Sequence, residues 1–317
     1  MTLQIPLPDP SAPLRIGTRG SPLALAQAHE TRDRLSAAYG LDPLAFSIVV
    51  IKTTGDRVLD RPLSEIGGKG LFTKEIEDAM LQHDIDIAVH STKDMPVEQP
   101  AGLIIDCYLP REDVRDAFVT LSGDRLSDLP NGSVVGTSSL RRRAQLRARR
   151  PDLEIVEFRG NVQTRMAKLR DGIASATFLA MAGLNRLGLD DVPRVALSTE
   201  DMLPAVAQGA ICIERRIDDP ISAAMLATIH DTATGQRLDA ERAFLAGLDG
   251  SCQTPIAGLA EIHGPDIRLR GEILRPDGSE VISDDRTAPL VEAAALGAAM
   301  ASDLRARAGE GFFDMLG

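Results

Sequence analysis

The sequence predicts an α/β protein of two similar lobes with a small α+β domain appended toward the C-terminus. Three observations carry this reading. Strand-like and helix-like segments alternate through the first half of the chain. The stretches RIGTRGSPLALAQA and VVGTSSLRRRAQLR share one pattern of strand, Gly-Thr, polar turn and helix around Gly17 and Gly136. After about residue 230 the chain changes to paired strands, a hairpin signal and one alanine-rich helix. In both echoing segments a helix N-terminus follows the Gly-Thr turn. Such N-termini carry unpaired N–H groups and a partial positive charge, so they favour anions at a shared cleft.

Taken in order, residues 14–17 form a short apolar strand. Pro22, with Ser21 as N-cap, opens a helix in LALAQAHETRDRLSAAYG. Residues 46–51 form the next strand. Residues 54–70, TGDRVLDRPLSEIGGKG, are long, polar and glycine-rich, as expected of a lid or a disordered segment. A strand at residues 85–89 ends in HSTKDMP, where Pro96 blocks helix continuation. Thr137-Ser138-Ser139 supplies N-cap candidates for a helix that begins near Leu140 and ends before Pro151. A strand at residues 154–158 follows. A helix at residues 236–248 then leads into DGSCQTP. Strands are expected at residues 256–262, 267–274 and 280–283, with Pro276-Asp277-Gly278 as a hairpin turn. A last helix covers residues 290–308.

Composition bounds the function. A chain of 317 residues with 44% apolar residues has room for two or three domains and a substantial core. No stretch approaches the roughly 20 consecutive apolar residues of a membrane-spanning helix. The N-terminal MTLQIPLPDPSAP has neither a basic nor an apolar signal region and reads as a short arm, so the expected compartment is the cytoplasm. Cys107, Cys212 and Cys252 are far apart and odd in number, and the five histidines are scattered. Neither a disulfide framework nor a metal site is expected. The net charge is −11, with two Tyr, eight Phe and no Trp. That balance argues against nucleic acid, whose binders present broad basic faces or aromatic stacking platforms.

Against this acidity, six arginines fall between Arg141 and Arg150. Arg147, Arg149 and Arg150 lie in the last helical turn, where cations complement the dipole, and need no further role. Arg141 and Arg142 lie in the first turn, where cations oppose it. That placement favours an anion at the same N-terminus. Arg159 follows a strand and Arg165 lies in the next helix, while Arg19 occupies the echoing turn of the first lobe. Each alone reads as a solvated surface residue; together they suggest a site for several carboxylates or phosphates, which the planar guanidinium pairs bidentately.

Three further stretches carry chemistry. In HSTKDMP, Ser91, Lys93 and Asp94 lie at the carboxyl end of a strand, the ligand-binding edge of an open α/β sheet. Asp94 is either a turn-forming residue or a carboxylate that stabilises a cation or transfers a proton. His90 packs or hydrogen-bonds locally and is assigned no role. In GGKGLF the glycines let the backbone approach a ligand and Lys69 can reach an anion, but the spacing is not that of a nucleotide-binding P-loop. Cys252, in a turn of small residues, is an accessible thiol, either incidental or reactive.

The segments RIGTRGSPLALAQA, GGKGLFTKEIE, DIAVHSTKDMP, REDVRDAFV, VGTSSLRRRAQL, FRGNVQTRMAKL, LPAVAQGAICIE and LDGSCQTPIAG together closely resemble the porphobilinogen deaminase (hydroxymethylbilane synthase) family, in the family's order and from about Leu14 to the C-terminal helix. The resemblance implies two lobes like those of type II periplasmic binding proteins, flanking a cleft, and a smaller third domain. These would comprise residues 1–109 with 209–229, residues 110–208, and residues 230–317. It implies a monomeric transferase that polymerises four porphobilinogen units head to tail with release of ammonia, without metal, membrane or nucleic acid. The implied cofactor is dipyrromethane, held by a thioether that motif position assigns to Cys252. Asp94 matches the family's catalytic aspartate. Ser91, Lys93, Thr137, Ser139, Arg141, Arg142 and Arg165 match cofactor-binding positions, and Arg19, Ser21, Lys69, Arg159 and Arg186 match substrate-binding ones. The sequence departs from the family at Glu65, where many members have lysine, and at Ser251, which replaces a common glycine. Setting the resemblance aside, the alternative class is a non-catalytic two-lobe protein that binds small anions.

Overall fold

The computed structural model describes residues 6–57, 72–250 and 254–313. These residues fall into two compact units, residues 1–111 with 210–235 and residues 112–209 with 236–317. Among the described residues, no helix is long and apolar enough to cross a membrane.

The first unit opens with β1 (Leu14–Thr18) and α1 (Pro22–Tyr39). The Ser21 hydroxyl caps α1 by accepting from the Ala24 N–H, and Gly40 ends it in the left-handed conformation. Then come β2 (Phe46–Val50), α2 (Lys74–Leu81), β3 (Ile87–Ser91) and β4 (Leu103–Tyr108). The second unit begins with β5 (Asp116–Thr120), β6 (Val134–Gly136) and α3 (Leu140–Arg149). It continues through β7 (Glu154–Val156), α4 (Val162–Arg170), β8 (Ala176–Ala180), α5 (Met181–Arg186) and β9 (Arg194–Ala196). The chain then returns to the first unit for β10 (Ile211–Arg216) and α6 (Pro220–Ala227).

The two five-stranded sheets have one topology. The first runs β2-β1-β3-β10-β4 and the second β7-β6-β8-β5-β9. In each, three parallel strands are followed by one antiparallel strand, β10 or β5, which is the strand laid down beside a change of unit. The sequence echo is therefore structural, since β1 and β6 occupy the same sheet position. At both, glycine is required by close approach. A Cβ on Gly17 would lie 2.3 Å from the Ile85 side chain, and one on Gly136 would lie 2.3 Å from the Phe158 ring. Both sheets are covered on two faces, so β3, β5 and β10 are almost continuously buried.

Residues 236–317, grouped with residues 112–209, carry a small three-stranded sheet and helix of their own. After α7 (Thr232–Gly247), the strands β11 (Ile256–His263), β12 (Asp266–Leu274) and β13 (Val281–Pro289) form an antiparallel meander backed by α8 (Ala293–Ala308). Two buried groups tie this meander down. Gln145 on α3 donates to Glu272 on β12 at 3.0 Å. The fully buried Glu241 accepts from the Ala207 N–H at 2.7 Å and from the Ala260 N–H at 2.8 Å.

Several boundaries differ from expectation. The third strand lies two residues later, because Asp86 at its mouth is spent on the Arg15 N–H and guanidinium. The strand expected at residues 154–158 stops at Val156, and Phe158 turns in under Gly136. The helix expected from residue 236 starts at Thr232, where the Asp231 carboxylate accepts from the Thr234 N–H. β13 extends to Pro289 through polar residues because nine partners on β12 pair with it.

Glu241 gives the fold a test. Glu241→Ala leaves two buried N–H donors without this acceptor and should lower stability by about 2–4 kcal/mol. Glu241→Gln, which can still accept one bond, should cost less. Urea unfolding of both variants checks the order.

Candidate functional site

The first unit holds five of the expected site residues among those described. Arg19 follows β1, and its guanidinium stacks 4.2 Å from the Phe72 ring centroid. Ser21 caps α1. Ser91 ends β3, where its hydroxyl and the Gln27 amide hydrogen-bond at 2.9 Å. Asp94 closes the 3₁₀ turn Thr92–Asp94 and is exposed. A small open pocket is lined by Arg19, Ser21, Gln27, Phe72, Ser91 and Asp94 among others. Lys93 is half-buried in the same turn. Pro96 explains the turn, since the chain leaves β3 at the sheet's carboxyl edge and cannot build a helix there. Lys69, and the departure at Glu65, lie outside the described residues.

In the second unit the turn after β6 repeats the arrangement with a different charge. The buried Thr137 accepts from the Ser139 N–H at 3.2 Å, and Ser139 caps α3 by accepting from the Arg142 N–H at 3.4 Å. Arg141 and Arg142 are 4% and 7% exposed. Both reach the fully buried Asp116 at the start of β5, at 2.8 Å from Arg141 and 2.7 Å from Arg142. The anion that offsets two cations in the first turn of α3 is thus a residue of the chain itself. Arg142 also donates to the Phe178 carbonyl at 3.1 Å, and Arg165 on α4 donates to the same oxygen at 3.1 Å.

This is a crowded set of charges. Burial alone would raise the Asp116 pKa, but the charges and hydrogen bonds of Arg141 and Arg142 outweigh it and hold the carboxyl well below its usual range. Burial lowers the Arg141 pKa, with Arg142 adding to the shift and Asp116 opposing it. Arg165 is brought down to about 10 by burial and then by Arg142, with Glu157 opposing. Two guanidiniums share one buried carboxylate and a third, Arg165, meets Arg142 at the Phe178 carbonyl, so the cluster has cationic charge to spare.

The remaining arginines divide differently. Arg159, half-buried after β7, accepts through its carbonyl from Lys168 at 3.0 Å. Arg186, on α5, donates to the Gly209 carbonyl at 3.0 Å. Arg143 pairs with Glu157 at 2.9 Å. Arg147 reaches the Pro276 carbonyl, Arg149 the Gln145 carbonyl, and Arg150 pairs with Asp152 and two loop carbonyls. Cys252, with Ser251, lies outside the described residues. Cys107 and Cys212 are buried free thiols, and burial pushes Cys107 up to about 12.

Sequence reasoning missed Asp116, Gln27, Gln145, Gln208 and Phe72. Only Asp116 carried a signal, an acid at the head of the apolar strand DAFVT, where a buried charge demands a partner. Gln208 completes that centre by donating to Asp116 at 2.9 Å.

Comparison with known proteins gives two matches to family models. Residues 14–224 match the porphobilinogen deaminase dipyromethane cofactor binding domain, and residues 236–306 match the porphobilinogen deaminase C-terminal domain. The chain is 70% identical over 308 residues to the porphobilinogen deaminase of Paracoccus denitrificans, covering 97% of this chain and 98% of that protein. It is 54% identical over 300 residues to that of Nitrobacter winogradskyi, covering 95% of each. It is 52% identical over 311 residues to the chloroplastic porphobilinogen deaminase of Oryza sativa, covering 96% of this chain and 86% of that one. Among solved structures, the periplasmic VFT2 domain of Bordetella pertussis BvgS aligns with a TM-score of 0.39 at 14% identity, covering 68% of this chain and 86% of that one. A Salmonella typhimurium periplasmic binding protein aligns with a TM-score of 0.39 at 13% identity, covering 70% and 93%.

Two measurements follow from the charge cluster. Arg142→Ala removes one of the two guanidiniums paired with a buried carboxylate and should cost about 3 kcal/mol, whereas Arg147→Ala, on the exposed side, should change stability by less than about 0.5 kcal/mol. Because the folded pKa of Asp116 is depressed, its stabilisation is complete above the unfolded carboxylate range, near about pH 4, and is lost as pH falls below it. Asp116→Asn should be less stable at neutral pH and should lose less stability on acidification, as read by urea midpoints along a pH series.

Proposed function

The chain belongs to the porphobilinogen deaminase family, and from that membership we propose which of its residues carry the reaction. The reaction is that of hydroxymethylbilane synthase, in which four porphobilinogen molecules are joined head to tail into a linear tetrapyrrole, with ammonia released at each addition. The cofactor is dipyrromethane. This replaces the alternative of a non-catalytic anion-binding protein.

One observation supports the ligand assignment above the rest. The acetate and propionate groups of dipyrromethane and porphobilinogen are carboxylates, and the second unit holds two buried guanidiniums on a single buried carboxylate, with the partly buried Arg165 beside them on backbone carbonyls alone. An Arg165 pKa lowered to about 10 means that the fold keeps this charge at a cost on the order of 3 kcal/mol. A bound carboxylate would offset that cost. The donor set therefore fits the cofactor. By their family positions Thr137, Ser139, Arg141, Arg142, Arg165, Ser91 and Lys93 would hold it, and Cys252 would attach it covalently. Since Arg141 and Arg142 already share Asp116, they act chiefly through charge, and Arg165 makes the direct contact. When bound, the group supplies the pyrrole carbon to which the first substrate unit is joined.

Arg19, Ser21, Lys69, Arg159 and Arg186 bind the substrate's carboxylates. Asp94 does the chemistry. As ammonia leaves the aminomethyl group, positive charge spreads into the pyrrole ring, and an exposed carboxylate in the pocket stabilises the ring N–H. The same carboxylate assists proton transfer to the leaving amine and from the ring carbon. In the proposed domain division, residues 230–317 carry Cys252, beside lobes of residues 1–109 with 209–229 and 110–208. The separate family matches to residues 14–224 and 236–306 support the C-terminal part of that division. The enzyme acts in the cytoplasm as a monomer, without metal or nucleic acid; the acidic balance of the chain and the burial of its key arginines favour this.

Asp94→Ala should abolish turnover while leaving circular dichroism and the unfolding midpoint near those of the parent; near-normal turnover would remove the assigned role. The intact mass should exceed that of the bare chain by one dipyrromethane unit. Cys252→Ser should lack the addition, and a fully active protein at bare mass would exclude the thioether.

A further inference from the structure

Behind the Asp94 pocket, the face of the first sheet covered by α2 buries polar groups that the reaction above leaves unused. Ala88 on β3 pairs with Glu214 on β10, and His90 lies two residues along the same face. His90 Nε2 is 3.2 Å from Glu214 Oε2, with the two residues 6% and 0% exposed. Glu77 on α2 is buried as well, and its pKa is raised, chiefly by burial and further by the Glu214 charge. Among the described residues, Glu77 Oε1, Glu214 Oε1 and Thr92 Oγ1 are buried and make no hydrogen bond. Burying two carboxylates that each leave one oxygen without a hydrogen bond is costly when both are charged. His90 also lines the pocket that holds Asp94.

We propose that His90, Glu214 and Glu77 form a buried proton-holding cluster, with His90 as the positioning residue that presents the cluster's charge to the Asp94 pocket. The proposal rests on the assignment of Asp94 made above. Each elongation step generates a cation in the pocket and later releases a ring proton. A cluster with two carboxylates and one exchangeable proton favours that cation electrostatically. It takes up the released proton and returns it to solvent through the pocket, with no bond to carbon and no electron transfer. The groups around His90 are Glu77 on α2, Glu214 and Cys212 on β10, and, lining the same pocket, Arg19 after β1 and Asp94 in the following turn. From α1 the pocket receives the uncharged Gln27.

The test uses the full chain carrying its cofactor. In Glu214→Gln the acid limb of the kcat–pH profile should move to lower pH by about one unit, since removing the carboxylate weakens proton retention by about tenfold. KM should stay near the parent value. A purely structural loss would lower kcat by the same factor at every pH. In parallel, the ring resonance of His90, identified by its absence in His90→Gln, should change with pH in the resting enzyme, and that course should move in Glu214→Gln. An unmoved resonance overturns the cluster, and a moved resonance with an unmoved limb overturns its link to the pocket. If Glu214→Gln does not fold, Glu77→Gln is read in the same two ways. The resonance does not depend on turnover, so a failure of the Asp94 assignment would be seen separately.

Discussion

Asp116 carries its charge in the interior of the second unit, and that is tenable only because Arg141 and Arg142 converge on it. The pair of contacts fixes more than the carboxylate. It ties the first turn of α3 to the head of β5, draws Gln208 onto the same oxygen as Arg142, and leaves Arg142 to share the Phe178 carbonyl with Arg165. Breaking such a centre strands a charge, which is far more costly than the net worth of the pairing. One carboxylate is enough to keep the two guanidiniums ordered, but not enough to neutralise them.

The two sheets share a strand order, yet the turns after their equivalent strands carry opposite chemistry. After β6, a capped helix holds buried arginines. After β1, a capped helix and the turn beyond β3 surround a pocket with one exposed carboxylate, Asp94. The shared topology supplies the same two fittings in each unit: a helix N-terminus, and strand ends at the carboxyl edge of a sheet. What differs is the residue set hung on them: buried arginines on an internal carboxylate in one unit, and Arg19 with the exposed Asp94 around a pocket in the other.

Much of the architecture was legible because it is local. The Gly-Thr echo, Ser21 and Ser139 as caps, and the end of α3 before Pro151 are properties of neighbouring residues. Boundaries failed where distant partners decided them. β13 runs through SDDRTAP only because β12 pairs with it along its whole length, and its exposed face is filled by pairs such as Arg268 with Asp285. Asp86 shortens the start of β3 through Arg15, 71 positions away.

The candidate site divides along the same line. The sequence by itself determined the α/β alternation, the paired turns, the position of Asp94 beside Pro96 and the excess of arginine in the first turn of α3. These follow from backbone propensity, capping and the helix dipole, which act over a few residues. Only the tertiary structure decided that Asp116 is the internal counter-ion, that Arg186 holds the Gly209 carbonyl, and that His90 faces Glu214 across a strand pair. Each of those depends on burial, which no single residue possesses until the sheets are assembled and water is gone.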